Sequence, residues 1–296
     1  MNDLTKETDK IYLKEWVEKY CPTLIKHFSP SKSDWKKVII PKFIRRNNAR
    51  DEAIQRDEFY PAETCLYDLI EFAEKGDAHH LKMLNHIEEL SQKLVSILKS
   101  ELISKMRKQL YSLFTNFDDF ESEYLHKLAE METVLFVKNI TNCEIIDIEY
   151  KVSKNRKSPD FSIRFKDSKS GEEKIFHIEV LNIWVKYEEV ENAFTFRNFI
   201  DYRVAQKRIK EQQVFNELGK QGVSILPVLW FISDTEEKNI DIKTILKVES
   251  YFKESPTCKY QSPCCCLLQG YKNDELHFVF NSIASHLEFI NKDIHR

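Results

Sequence analysis

Asp160 and Glu179 are the residues of this 296-residue chain whose types and settings most need a chemical explanation. Asp160 stands in Ser158-Pro159-Asp160-Phe161, where a strand would open, and Glu179 stands in Ile178-Glu179-Val180-Leu181, inside an apolar run. A carboxylate in such a run is costly to bury unless something offsets its charge. Nineteen residues separate the two acids, and residues 167–172 between them carry the Ser, Lys, Asp and Gly of a turn. A hairpin of that length returns its second strand about 4.8 Å from the first, so the acids can lie side by side. Carboxylates brought together repel. A hard cation such as Mg²⁺ (or Mn²⁺) relieves the repulsion through oxygen ligands while keeping several waters. A structural ion pair with Arg164, Arg203 or Arg208 is the competing explanation for a buried Glu179.

Several elements must position these acids. Residues 120–138 read as a helix, followed by a turn at 139–142 and an alternating strand at 144–152. Two further strands join at 167–172. A second long helix covers about 200–218 and ends near Gly219; residues 223–232 form a nearly continuous apolar strand of the kind buried on both faces. Helix, three strands, helix, strand predicts an α/β fold (α+β mixed sheet flanked by helices).

With the Pro-Asp strand, the Glu strand and this element order, residues 117–232 resemble the PD-(D/E)XK, or restriction-endonuclease-like, nuclease superfamily. The resemblance implies a restriction-endonuclease-like core and a metal-dependent hydrolase, a nuclease cutting phosphodiester bonds in nucleic acid, with DNA favoured. Asp160 and Glu179 would be catalytic and would bind Mg²⁺ (or Mn²⁺) together with the Val180 main-chain carbonyl. An acid on the leading helix often assists in that superfamily. Glu130 is the choice here, with Glu123, seven residues earlier and on nearly the same face, as the alternative.

One position departs from the pattern. Leu181 stands two residues after Glu179, where the family carries the lysine that orients or activates the attacking water. Some members resemble this chain in moving the basic group to the following helix. Around that helix Val204, Phe215 and Leu218 define the apolar face; Lys207 lies near its edge and Lys210 points further away. Lys207 is therefore the first choice for the displaced lysine, with Lys210 and Gln213 as alternatives. Each of these is also consistent with an ordinary solvated side chain. His177, on the same strand face as Glu179, is a further candidate base or else a hydrogen-bonded structural histidine. Loss of the usual lysine leaves a second reading open: a catalytically inactive nuclease-fold protein serving as a nucleic-acid-binding or protein-interaction scaffold.

The remaining sequence divides the chain into a mostly helical region, 1–115, and the nuclease-like domain, 116–296. Leu81, Leu84, Ile87, Leu90, Leu94, Leu98 and Leu102 form a helical stripe. It is expected to pack on helices near residues 11–25 and 65–72, or on a second subunit, which would make a homo-oligomer through the N-terminal helices. A net charge of −3 argues against nucleic-acid binding by bulk positive charge, so local patches must act. Between residues 32 and 50, Lys36, Lys37, Lys42, Arg45 and Arg46 interleave with Trp35 and Phe43. That stretch could bind nucleic acid, or it could be a solvated basic segment with two aromatic anchors in the core. Seven cysteines, three of them consecutive at 264–266, give neither a disulfide framework nor two clean zinc pairs, and residues 264–268 read as a buried strand. Reduced thiols, a polar start and no apolar run of ~18 residues lead to the expectation of a cytoplasmic protein without a membrane partner.

Overall fold

The computed structural model describes residues 13–58, 65–117, 123–141, 143–149, 158–166, 171–186, 193–212, 216, 218, 222–232, 265–272 and 275–282. Two compact units divide the chain, Met1–Met131 and Glu132–Arg296. The sequence places the change of character near residue 115; the division in space falls inside a helix.

The first unit is helical. Its elements are α1 (13–20), α2 (Pro22–Phe28), α3 (Lys32–Asp34), α4 (Ile40–Gln55), α5 (Leu66–Glu74), α6 (Ala78–Ile97), α7 (Ser100–Gln109) and α8 (Tyr111–Thr115), and α9 (Glu123–Thr141) leads out of it. Asp77 caps α6 by accepting from the His79 and His80 N–H groups, at 2.8 and 3.2 Å. From there Met83, Leu84, Ile87, Leu90 and Leu94 run down one buried face, and α6 packs on α2 and α5, as the leucine stripe predicts. The stripe is shorter than it reads. Leu81 is 40% exposed, α6 ends at Leu98 in extended backbone, and Leu102 belongs to α7. Near that end the Ser96 hydroxyl bonds back to the Lys93 carbonyl at 2.7 Å, a local bond that competes with helix continuation. Cys21 supplies no side-chain cap for α2, and Glu88 of α6 does so instead, accepting from the Thr23 N–H at 3.0 Å.

The basic stretch lies on one helical run. Ser31 and Asp34 form a capping box before α3, and a π-helical turn, Trp35–Ile39, joins it to α4. The Ile40 N–H reaches back to the Trp35 carbonyl, which takes up the register in front of Pro41, a residue with no N–H to give. Both aromatics of the stretch turn inward. Trp35 is buried edge-on to Phe114, and Phe43 packs on Tyr67 and Phe117.

Arg46 also turns inward, and this corrects its assignment to a nucleic-acid surface. Its side chain is 2% exposed and its guanidinium meets the Asp68 carboxylate at 2.6 Å. Burying a guanidinium requires a partner of this kind, and the neighbouring Asp68 at the start of α5 provides one. Lys42 is half-buried and donates to the Thr115 carbonyl at 3.1 Å, whereas Lys36, Lys37 and Arg45 are exposed.

The second unit is an α/β fold built on a six-stranded mixed sheet in the order β1-β2-β3-β4-β5-β6. The strands are β1 (Glu144–Ile148), β2 (Phe161–Lys166), β3 (Glu173–Lys186), β4 (Gly222–Ile232), β5 (Cys265–Lys272) and β6 (Glu275–Ser282), and α10 (Ala193–Lys210) lies between β3 and β4. β1, β2 and β3 form an antiparallel meander. β3 then pairs with β4 in parallel from Phe176↔Gly222 to Lys186↔Ile232. Parallel neighbours need a long crossover, and α10 makes it, packing on both strands. Residues 225–230 are buried without alternation, as expected for a strand covered on both faces. α10 begins earlier than the sequence suggests, because Phe196 extends the buried stripe of Ile200 and Val204 by one more turn. The stretch read as a strand at 264–268 is β5, although Cys264 and the burial of β5 lie outside the described residues. β6, not anticipated, pairs antiparallel with β5. No helix among the described residues is long and apolar enough to cross a membrane.

Candidate active site

The site is assembled from three neighbouring pieces of the second unit. The β2–β3 register pairs Phe161 with Ile178, so Asp160, one residue before β2, comes opposite the middle of β3. There the Val180 N–H donates to Asp160 Oδ2 at 2.7 Å. N–H and C=O of one residue lie on the same edge of an extended strand, so the Val180 carbonyl also faces this edge. Behind Asp160, the Glu149 N–H donates to its carbonyl at 2.9 Å. Glu149 has φ 50°, a left-handed turn that closes β1 against the start of β2. Backbone contacts thus hold Asp160 on both sides.

Glu179, in the interior of β3, is buried, and its charge partner comes from α10. Lys207 Nζ lies 2.5 Å from Glu179 Oε1 and 3.4 Å from Glu211 Oε1. Among the competing arginines, Arg164 instead pairs with Glu144 and Glu173, and Arg203 and Arg208 are exposed. Burial pushes the Glu179 carboxyl up to about 8, and the Asp160 charge adds to the effect; Lys207 pulls the other way and is outweighed. For Lys207 burial works to lower the value, but Glu179, Glu211 and Asp160 together hold it above the usual lysine range. The result is a lysine held charged beside a carboxyl that burial holds back from ionising.

The other candidate residues have these settings. Glu130 belongs to the first unit, where Lys127 holds its carboxylate at 2.8 Å. Glu123 opens α9 with its side chain outside the described part, and Gln213 also lies outside the described residues. Lys210 is exposed. His177 shares a 2.7 Å hydrogen bond with the buried Ser162 hydroxyl, tying β2 to β3, which is the structural role weighed for it. Among the described residues, no group of three or more His, Cys, Asp and Glu side chains is gathered to hold a metal ion. Glu211 was not anticipated as part of the site. Its signal was available, because it follows Lys207 by four residues and so shares its helix face.

Glu179 makes the stability of the protein depend on pH. The native carboxyl keeps its proton to about pH 8, while the ordinary value is 4.5. Between those limits the native state binds more protons than the unfolded chain, so stability is fully present below the lower limit and falls as pH rises through the window. Glu179→Gln removes that dependence. In chelator, the stability of Glu179→Gln relative to wild type is expected to increase from pH 5 to pH 8, by at most about 1.4 kcal/mol per pH unit. Denaturant titrations at several pH values check it, and a constant difference would contradict the protonation state described.

Comparisons with protein-family models, with curated proteins and with solved structures find no match to this chain.

Proposed function

We propose that the second unit is a metal-dependent nuclease with a restriction-endonuclease-like core, in which Asp160 and Glu179 hold Mg²⁺ (or Mn²⁺) and Lys207 acts on the nucleophile. One observation carries the reading. A lysine on the helix after the Glu strand reaches the Glu179 carboxylate, at 2.5 Å, and so fills the role that Leu181 leaves vacant. The order α9-β1-β2-β3-α10-β4 supports it, as does the meeting of the Pro-Asp strand with the Glu strand.

The donor set fits a hard cation. Its atoms are carboxyl oxygens, the Val180 carbonyl faces the same edge, and burial together with the Asp160 charge holds the Glu179 carboxyl largely protonated. A bound divalent ion supplies Lewis-acid activation of water and neutralises charge on the scissile phosphate. Asp160 stays oriented by the Val180 N–H. Glu179 would give up its proton to hold such an ion, so uptake of the ion would release a proton. Lys207, charged and partly desolvated, orients the attacking water and steadies negative charge developing on the phosphate. DNA is the favoured substrate. Lys36, Lys37 and Arg45 are the exposed members of the candidate basic set on the first unit and are offered to phosphates.

Purified protein is expected to cut DNA with Mg²⁺ or Mn²⁺ and to stop on addition of chelator. Lys207→Ala is expected to slow cutting about 10²-fold, at the low end for a positioned proton-transfer or water-orienting group. Wild-type cutting by this variant would remove Lys207 from the mechanism. Leu181 favours a second reading, a nuclease-fold scaffold without turnover. Calorimetry with Mn²⁺ separates the two, because a chain that takes up no ion cannot run the proposed reaction.

A further inference from the structure

Lys207 has a conflict built into its position. In the proposed function Glu179 must give its oxygens to a cation, yet those oxygens now hold the Lys207 ammonium. When Glu179 turns to a cation, Lys207 loses its nearest oxygen partner while remaining partly buried. A cation left without a partner in such surroundings is strongly unfavourable. It would therefore compete with the incoming ion for Glu179.

Glu211 answers that conflict. Its backbone N–H bonds to the Lys207 carbonyl at 3.1 Å, continuing the helical turn at the end of α10. Four residues after Lys207, it lies on the face that also buries Phe196, Ile200 and Val204. It is only 4% exposed, and its Oε1 stands 3.4 Å from the same Nζ that touches Glu179. A glutamate at a helix end has no need to be buried unless its charge is used. From the geometry we infer that Glu211 is a positioning residue: a second carboxylate that receives Lys207 when Glu179 takes up a divalent cation, keeping the lysine at the site. The inference rests on the nuclease reading and adds to it a division of labour between two acids on either side of one lysine.

The division of labour is tested by Mn²⁺ calorimetry on the full chain and on Glu211→Gln, Lys207→Met and the double variant. Gln is close in shape to Glu, and the thermal unfolding of each variant verifies the fold. Glu211→Gln is expected to weaken Mn²⁺ binding about 10-fold when Lys207 is present and less than 2-fold when it is Met, because without Lys207 there is nothing to receive. Glu211→Asp, which keeps the charge at shorter reach, is expected to recover part of the loss. In cleavage assays Glu211→Gln should lower kcat about 10-fold and leave KM for DNA unchanged. Equal weakening in both backgrounds would mean that Glu211 acts on the ion directly, and would overturn its role as acceptor of Lys207. Should the wild-type chain bind no Mn²⁺, the nuclease reading falls and the inference with it. Binding by wild type with additive variants removes the inference alone.

Discussion

Asp160→Asn and Glu179→Gln are each expected to reduce DNA cleavage by at least ~10³-fold, about 4 kcal/mol of barrier, while leaving the protein folded. Asparagine is a sharper test than alanine, because its amide oxygen can still accept the Val180 N–H that holds Asp160 at 2.7 Å. The strand connection then survives and only the charge is lost. Glutamine in place of Glu179 likewise keeps shape and a hydrogen-bonding oxygen for Lys207. Neither amide can supply the anionic oxygen that a hard cation prefers, and the two sites act as a unit, so the double variant should be little worse than either alone. The measurement is cleavage of labelled single- and double-stranded DNA with Mg²⁺ or Mn²⁺, alongside calorimetry with the same ion. Undiminished cleavage by both variants would sink the assignment of the site.

Asp68→Ala is expected to cost the first unit about 3–5 kcal/mol, the largest stability effect of any single substitution considered. Asp68 does more than pair with Arg46, because the same Oδ2 accepts the Cys65 N–H at 3.2 Å and so caps α5. Alanine removes the cap and leaves a guanidinium buried without its counter-charge. A fall in unfolding temperature of roughly 10–15 °C follows for a unit of this size. The double variant Arg46→Met with Asp68→Leu should recover much of the loss, because an apolar pair of similar volume avoids the desolvation that the ion pair must offset. The experiment also separates two roles for Arg46. If Arg46→Ala weakens DNA binding without lowering the unfolding temperature, the buried-pair account is wrong.

Individual residues differ in how far the sequence reveals them. Asp160 and Glu179 could be singled out because each interrupts a local pattern, a carboxylate at or inside a strand, and patterns of period two need no knowledge of neighbours. Lys207 could be ranked above Lys210 from helix phase alone, since one turns toward the apolar face and the other away; the structure has Lys207 at Glu179 and Lys210 exposed. Arg46 could not be read in this way. It sits among Lys36, Lys37, Lys42 and Arg45, and nothing in that run says which cation has a buried aspartate 22 residues later. Glu211 went unnoticed for the opposite reason: acids on helices are common, and only its burial beside Lys207 sets it apart.

By itself the sequence determined the order of helices and strands over residues 117–232, the mixed α/β character of the second unit and the choice of two acids for the candidate site. All of these follow from short-range rules of periodicity and from the cost of burying charge. Only the tertiary structure decided which charge meets which: Lys207 rather than an arginine beside Glu179, Glu211 beside Lys207, and Asp68 beside Arg46. It also decided that the leucine stripe is shared by two helices and that the sheet runs to six strands. The physical reason is that long side chains choose partners by three-dimensional distance and dielectric, set by how helices rotate and strands register against one another, and those contacts join residues far apart in the chain.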